Sequence, residues 1–172
     1  PVTADAAAIH AYRSLPEVDD LLSGRPGDLE TFVAEFPEWR RTQILVEHRG
    51  EIVGDLMLRV QDAWSQAEVT EQARGTPAEL GWVFDPRWHG RGFATEAVTE
   101  LLAIAFDGVD VRRVEAGCFA QNTASRRVME KVGLRLEGVY RGESLHRDGT
   151  WRDGATYALL ASEWRSGKAT PP

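Results

Sequence analysis

Apolar spacing in the first third of the chain predicts two short helices. An alanine-rich stretch that begins near Thr3 predicts a helix to about Arg13, and Pro16 then interrupts it. Asp28 is expected to cap a second helix with its apolar residues on one side, and Pro37 is expected to end it.

The rest of the chain alternates strands with helices. Apolar runs bounded by turn residues predict strands at 42–47, 51–60, 78–84, 112–119, 134–145 and 151–160. A glycine-rich turn at 89–92 precedes a helix that Gly108 closes, and Asn122 opens a second helix through Lys131. The polar segment 62–77 is expected to be a loop, with or without a helical turn, rather than a domain linker. This order predicts a mixed α/β fold in which two parallel strands flank the strand–turn–helix–strand unit, joined by a right-handed crossover.

Composition narrows the class of protein. The 172 residues favour one domain over 1–165 with a flexible tail at 166–172. A net charge of −7 is the wrong sign for a general nucleic-acid binder. A single cysteine rules out an intrachain disulfide and a cysteine-rich zinc site, and the four histidines lack metal-ligand spacing, so we expect no metal. No apolar run is long enough to span a bilayer and the start lacks a secretory signal, so we expect a cytoplasmic protein without membrane contact.

The segment 84–95 carries the first candidate site. It lies between a predicted strand and a predicted helix and contains Gly90 and Gly92. Glycines there let several backbone N–H groups face one concavity, and the helix N-terminus adds partial positive charge, which suits a pyrophosphate. The alternative is that both glycines only make a tight strand–helix connection.

A second candidate feature follows the next strand. Asn122 and Ser125 stand at the mouth of a helix, at the carboxyl end of the neighbouring parallel strand. Ligands in open α/β sheets bind at such ends. Either residue can instead be an ordinary helix cap or a first-turn polar residue.

Together these segments resemble the GCN5-related N-acetyltransferases (GNAT), in particular the RimJ/RimL-like branch of ribosomal-protein N-terminal acetyltransferases. The resemblance covers about residues 79–160 and rests on ELGWVFDPRWHGRGFATEA, RRVEAGCFAQNTASRRVMEKVGLRLEG and DGTWRDGATYALL. It implies a mixed, mostly antiparallel sheet with a central splayed pair of parallel strands and helices on both faces. It also implies a strand just before the first residue given.

The resemblance implies that acetyl-CoA is the co-substrate. The turn would bind its pyrophosphate, the strand end would pair with the pantetheine arm as an added strand, and the helix mouth would form the other wall of the slot. In the preferred register His89 stands where the family has Gln or Arg, and Arg91 and Thr95 supply a charge and a hydroxyl. The cofactor-binding residues expected on this basis are Val83, Phe84, His89, Gly90, Arg91, Gly92, Phe93, Ala94, Thr95, Asn122 and Ser125.

Catalytic residues are expected in three places. Met129 occupies the position where many relatives have a Tyr acid, so Ser125 is the expected partner of the thiol or thiolate. Glu79 and Glu143 are the candidate bases, because the resemblance places carboxylates of family members near both positions. Each carboxylate can equally be an ordinary surface residue.

Cys118 is expected to be a small buried filler, because no covalent intermediate is needed. Asp153 is expected to fix the last hairpin or the slot wall.

The expected reaction is transfer of an acetyl group to a primary amine, either a peptide N-terminus or a small molecule. The first two helices and the 62–77 loop are expected to select that acceptor. The family resemblance also makes a homodimer an expectation. The alternative, supported by the missing Tyr, is a non-catalytic acyl-CoA-binding or regulatory module.

Overall fold

The structure is a computed structural model that describes residues 1–167. It contains seven α-helices within that range: α1 Ala6–Arg13, α2 Pro16–Asp19, α3 Leu29–Trp39, α4 Thr70–Ala73, α5 Phe93–Ala103, α6 Thr123–Lys131 and α7 Ala161–Arg165. Its six strands are β1 Gln43–His48, β2 Glu51–Val60, β3 Pro77–Phe84, β4 Arg113–Phe119, β5 Arg135–Leu145 and β6 Trp151–Leu160. A π-helical turn, Ile104–Gly108, follows α5 directly.

Most boundaries agree with the sequence pattern, and three helices differ from it, namely α2, α3 and α7. Pro37 does not end α3, which continues to Trp39. A proline in the last turn removes one backbone hydrogen bond, and the apolar face of Phe32 and Phe36 keeps the helix packed beyond it. The sequence pattern predicts neither α2, which begins at Pro16, nor α7. The expected flexible tail lies outside the described residues from 168 onward, whereas Ser166 and Gly167 continue the hydrogen bonding of α7.

The six strands form one sheet in the order β1-β2-β3-β4-β6-β5. Strands β3 and β4 are parallel, as the sequence predicts, and their register runs from Pro77 with Arg113 to Glu79 with Glu115. Strand β6 is antiparallel to both β4 and β5. The mixed, mostly antiparallel sheet with a central parallel pair is therefore confirmed.

The described chain divides into two compact units. The first comprises Pro1–Leu58 and Gly81–Ala97. Its core packs α1 against α3 through buried apolar side chains, namely Ala6, Ile9, Tyr12, Phe32 and Phe36. The buried Asp55 carboxylate joins β2 to α1, because it accepts hydrogen bonds from the Tyr12 hydroxyl at 2.5 Å and from the Arg13 guanidinium at 2.6 Å and 2.9 Å. These partners stabilise a charge that would otherwise be costly to bury.

The second unit comprises Arg59–Leu80 and the chain from Val98 onward. Strands β4 and β6 supply its buried centre, where Val114, Ala158 and Leu159 are at most 2% exposed. Met129 of α6 is also fully buried, which suits an apolar side chain that anchors the helix. No helix among residues 1–167 is both long and apolar enough to cross a membrane.

Candidate functional site

The turn at 89–92, which we call the Gly-turn, lies in the first unit between β3 and α5. Gly90 and Gly92 both have left-handed backbones, with φ of 74° and 88°. A Cβ at either position would meet no atom within 4 Å, so the backbone there faces open space. Helix α5 begins at Phe93, and its first backbone N–H groups lack intrahelical acceptors. Open backbone beside a helix N-terminus fits an anion such as a pyrophosphate.

A buried carboxylate holds the beginning of this turn. The Asp85 side chain accepts hydrogen bonds from the backbone N–H of Arg87 at 2.9 Å and from its guanidinium at 2.7 Å and 2.9 Å. Burial opposes ionisation of this carboxyl, but the Arg87 donors outweigh it and lower the pKa of Asp85. The Asp85 backbone N–H also donates to the Val53 carbonyl at 3.0 Å, which ties the turn to β2. No motif in the sequence singles out Asp85 for this role.

His89 connects the turn to the strand end. Its Nε2 lies 3.0 Å from the carbonyl oxygen of Phe84, the last residue of β3. Because a carbonyl only accepts, the ring nitrogen is the donor. His89 thus fixes the strand end at which the sequence predicts cofactor contacts through Val83 and Phe84.

Aromatic packing holds the other side of the turn. Phe93 meets Trp88 edge-on with ring centroids 5.4 Å apart, and His48 contacts both rings. The guanidinium of Arg91 lies 4.9 Å from the centroid of the Trp88 ring. Ala94 and Thr95 complete the first turn of α5. The first unit therefore brings together every expected cofactor residue from Val83 to Thr95.

In the second unit, Asn122 caps α6. Its side-chain oxygen accepts a hydrogen bond from the Ser125 backbone N–H at 3.1 Å. The backbone N–H of Asn122 donates to the Phe119 carbonyl at 2.9 Å. The Ser125 hydroxyl has no hydrogen-bond partner among residues 1–167. The capping role that the sequence left open for Asn122 is therefore real, and the half-buried Ser125 hydroxyl remains available.

A polar chain fixes the start of α6 to the sheet. Arg126 donates to the Ala120 carbonyl at 3.1 Å and to the buried Tyr157 hydroxyl at 3.0 Å. The Tyr157 hydroxyl then donates to Glu130 at 2.9 Å. Sequence reasoning missed this chain, because only the β4–β6 register brings Tyr157 beside α6.

Glu143 lies in an irregular part of β5. The register passes from Tyr140 opposite Gly154 to Ser144 opposite Arg152, so the three residues between form a bulge. The Glu143 carboxylate occupies the space where a Cβ of residue 154 would stand. Gly154 also pairs with Phe119, the last residue of β4. Glu143 therefore lies at the end of the strands from which the chain enters α6.

Asp153 supports the same bulge. Its side-chain oxygen accepts from the Gly142 backbone N–H at 2.8 Å. Its carbonyl accepts from the Ala120 N–H, also at 2.8 Å. The prediction that Asp153 fixes the last hairpin is confirmed.

Glu79 has a different environment. It stands in the paired part of β3, opposite Glu115, which precedes Phe119 by four residues, or about 13 Å of strand. Its Oε2 accepts from Arg59 and, at 2.9 Å, from Gln61. Within the second unit, Glu143 therefore lies at the carboxyl end of β4, just before α6, and Glu79 lies nearer the other end of β4.

Two further observations bear on the chemistry. Cys118 is half-buried, and burial raises the pKa of its thiol to about 11, so it is a neutral thiol at pH 7. Within residues 1–167, no group of three or more His, Cys, Asp or Glu side chains is arranged to hold a metal ion.

Comparison with known proteins identifies the family. A model described as an acetyltransferase (GNAT) domain matches residues 1–135. This chain belongs to the GNAT acetyltransferases. The crystal structure of a GNAT-family acetyltransferase from Bacillus anthracis superposes with a TM-score of 0.78 at 27% identity, covering 94% of this chain and 92% of that one.

Curated relatives match over different lengths. The uncharacterized N-acetyltransferase YnaD of Bacillus subtilis is 37% identical over 86 residues, which is 50% of each chain. The L-amino acid N-acetyltransferase AaaT of Escherichia coli is 27% identical over 155 residues, 88% of this chain and 89% of the relative. The ribosomal protein uS5-alanine N-acetyltransferase of Escherichia coli is 29% identical over 89 residues, 52% of this chain and 45% of the relative, in agreement with the RimJ/RimL-like resemblance. The matched part spans about half the length of the first curated relatives.

Proposed function

We propose that this protein transfers an acetyl group from acetyl-CoA directly to a primary amine. The observation that carries the proposal is the open left-handed backbone of Gly90 and Gly92 at the N-terminus of α5. Backbone N–H groups and the helix dipole there suit the pyrophosphate of coenzyme A. Membership of the GNAT family supplies the acetyl chemistry.

The reaction needs no covalent enzyme intermediate. The neutral amine attacks the thioester carbonyl, so that a carbon–nitrogen bond forms and the carbon–sulfur bond breaks. One proton leaves the amine nitrogen and one reaches the departing thiolate. The protein must therefore accept a proton, polarise the carbonyl and stabilise the thiolate.

We assign to Ser125 the role of stabilising the departing thiolate of coenzyme A. Its hydroxyl is half-buried and without a partner in the described chain, so it can donate to sulfur. Asn122 holds the first turn of α6 that presents this hydroxyl. The backbone at Val83 and Phe84 is the proposed pairing partner of the pantetheine arm.

We favour Glu143 over Glu79 as the base. The carboxylate of Glu143 is exposed at the same edge of the second unit as the start of α6. The Oε2 of Glu79 is already held by Arg59 and Gln61. A base must be within hydrogen-bond reach of the amine proton, which an already bonded oxygen serves less well.

We propose an α-amino group as the acceptor, on an amino acid or at a peptide N-terminus. AaaT acts on L-amino acids and the uS5 enzyme on an alanine of a ribosomal protein, as their names state. A cleft of about 450 Å³ in the first unit, lined partly by α1 and α2, has the size of a small-molecule site. Glu17 and Glu51 line it. The Glu51 carboxylate pairs with Arg87 at 3.0 Å, and the Glu17 carboxylate suits the ammonium group of the acceptor.

An amine screen tests the proposal. Thiol release from acetyl-CoA is measured with free amino acids, peptides beginning with Ser, Ala or Met, and polyamines. The proposal predicts turnover with an α-amine, reduced in Glu143→Gln and kept in the matched variant Glu79→Gln. Tight coenzyme A binding without turnover on any amine would instead assign the non-catalytic acyl-CoA-binding role.

A further inference from the structure

Arg91 differs from most arginines of the first unit in its partners. Four others, Arg13, Arg25, Arg41 and Arg87, each pair with a carboxylate. No carboxylate of the described residues lies within ion-pair distance of Arg91, and its guanidinium contacts the Trp88 ring instead. A cation above an aromatic face keeps its donors available for an anion.

Trp88 is itself held firmly. Phe93 and His48 both meet its ring edge-on, with centroids 5.4 Å away. Its Nε1–H is buried and has no hydrogen-bond partner. An unpaired buried donor is unfavourable, so hydrogen bonding does not explain why an indole stands at this position. Its ring edge packs against Phe93 and His48, and the Arg91 guanidinium lies over its face at 4.9 Å.

We propose that Trp88 is a positioning residue that holds the Arg91 guanidinium at the Gly-turn, ready for phosphate oxygens of coenzyme A. A free arginine on the surface loses side-chain entropy when it binds an anion. A guanidinium that already packs against the indole has lost part of that entropy in the free protein. The entropy cost of binding the anion is therefore smaller. This inference rests on the proposed function, because it takes coenzyme A as the ligand.

Coenzyme A offers two phosphate sources, the pyrophosphate and the 3′-phosphate. Dephospho-coenzyme A lacks only the second. An Arg91 effect that persists with dephospho-coenzyme A assigns the contact to the pyrophosphate, and an effect confined to coenzyme A assigns it to the 3′-phosphate. Both results support a phosphate contact.

A double-mutant cycle tests the proposal by calorimetric titration of coenzyme A and dephospho-coenzyme A. Trp88→Leu is expected to weaken coenzyme A binding about fivefold and Arg91→Gln about tenfold. The double variant should bind like Arg91→Gln alone, because a residue that acts through Arg91 has no effect once the guanidinium is gone. Trp88→Phe keeps a ring face and should fall between wild type and Trp88→Leu. Arg25→Gln is the matched control and should bind like wild type.

Additive losses in the double variant would overturn the proposal, since Trp88 would then act through general loop structure. Wild-type affinity in Trp88→Leu would overturn it as well. If Trp88→Leu fails to fold, Trp88→Phe provides the same comparison in the wild-type and Arg91→Gln backgrounds. If wild type itself binds no coenzyme A, the proposed function fails, which is a separate result.

Discussion

The Nε2 of His89 donates a hydrogen bond to the carbonyl oxygen of Phe84 across 3.0 Å and so closes the Gly-turn onto the end of β3. We expect His89→Ala to raise the KM for acetyl-CoA several-fold with little change in kcat, because the strand end loses its support. His89→Gln should restore most of the affinity, since a side-chain amide donor can replace the ring N–H. Steady-state kinetics at varied acetyl-CoA provide the measurement. Equal KM values for wild type and His89→Ala would contradict this role.

The lowered pKa of Asp85 should make the stability of the folded protein depend on pH. The Arg87 donors outweigh burial and keep the pKa of Asp85 below its ordinary value of 3.8. A lowered native pKa contributes stability at pH values above 3.8, and that contribution is lost as the pH falls through the native pKa. We expect Asp85→Asn to be less stable than wild type by about 1–3 kcal/mol at pH 7. Urea unfolding at pH 7 and at pH 3 should show the difference shrinking at the lower pH, and a constant difference would argue against the ionised clamp.

The close approach of the Glu143 carboxylate to Gly154 allows a steric test of catalysis. A Cβ at residue 154 would collide with the Glu143 carboxylate, so Gly154→Ala must displace it. We expect kcat to fall about a hundredfold or more, as in Glu143→Gln, if Glu143 accepts the amine proton. Gly117→Ala is the matched control, because its Cβ would meet only the Ala155 carbonyl at an ordinary 3.8 Å. An unchanged kcat in Gly154→Ala would remove Glu143 from the reaction.

Cys118 predicts slow alkylation. Burial raises the pKa of its thiol to about 11, and the nearby Arg126 only partly offsets this. The iodoacetamide rate should therefore rise about tenfold per pH unit between pH 7 and pH 9, since only the thiolate reacts. Cys118→Ala should retain acetyl transfer. A rate that levels off below pH 9 would show a more acidic thiol than the structure implies.

Local signals in the sequence located the candidate site, and long-range pairing decided its details. The glycines of the Gly-turn and the Asn122 cap depend on neighbouring residues, so the sequence alone located them. Glu143 depends on a three-residue bulge whose register is set by β6, so its position required the structure.

The contact between Arg126 and Tyr157 spans 31 residues and arises only when β6 pairs with β4. The local rule that proline ends a helix fails at Pro37, because the packing of Phe36 keeps α3 helical to Trp39. Sequence therefore predicts turns and caps well, while side chains brought together by strand register need the fold.

The proposed reaction depends on acyl-CoA binding at the Gly-turn. Calorimetric titration of coenzyme A into Gly92→Ala tests this binding. The added Cβ would stand in the open space of the Gly-turn, and an alanine disfavours the φ of 88° that residue 92 has. Gly149→Ala is the matched control, since Gly149 has a φ of 84° and equally open surroundings in the β5–β6 turn. We predict a loss of at least about tenfold in coenzyme A affinity for Gly92→Ala and none for Gly149→Ala. Wild-type affinity in Gly92→Ala would contradict it.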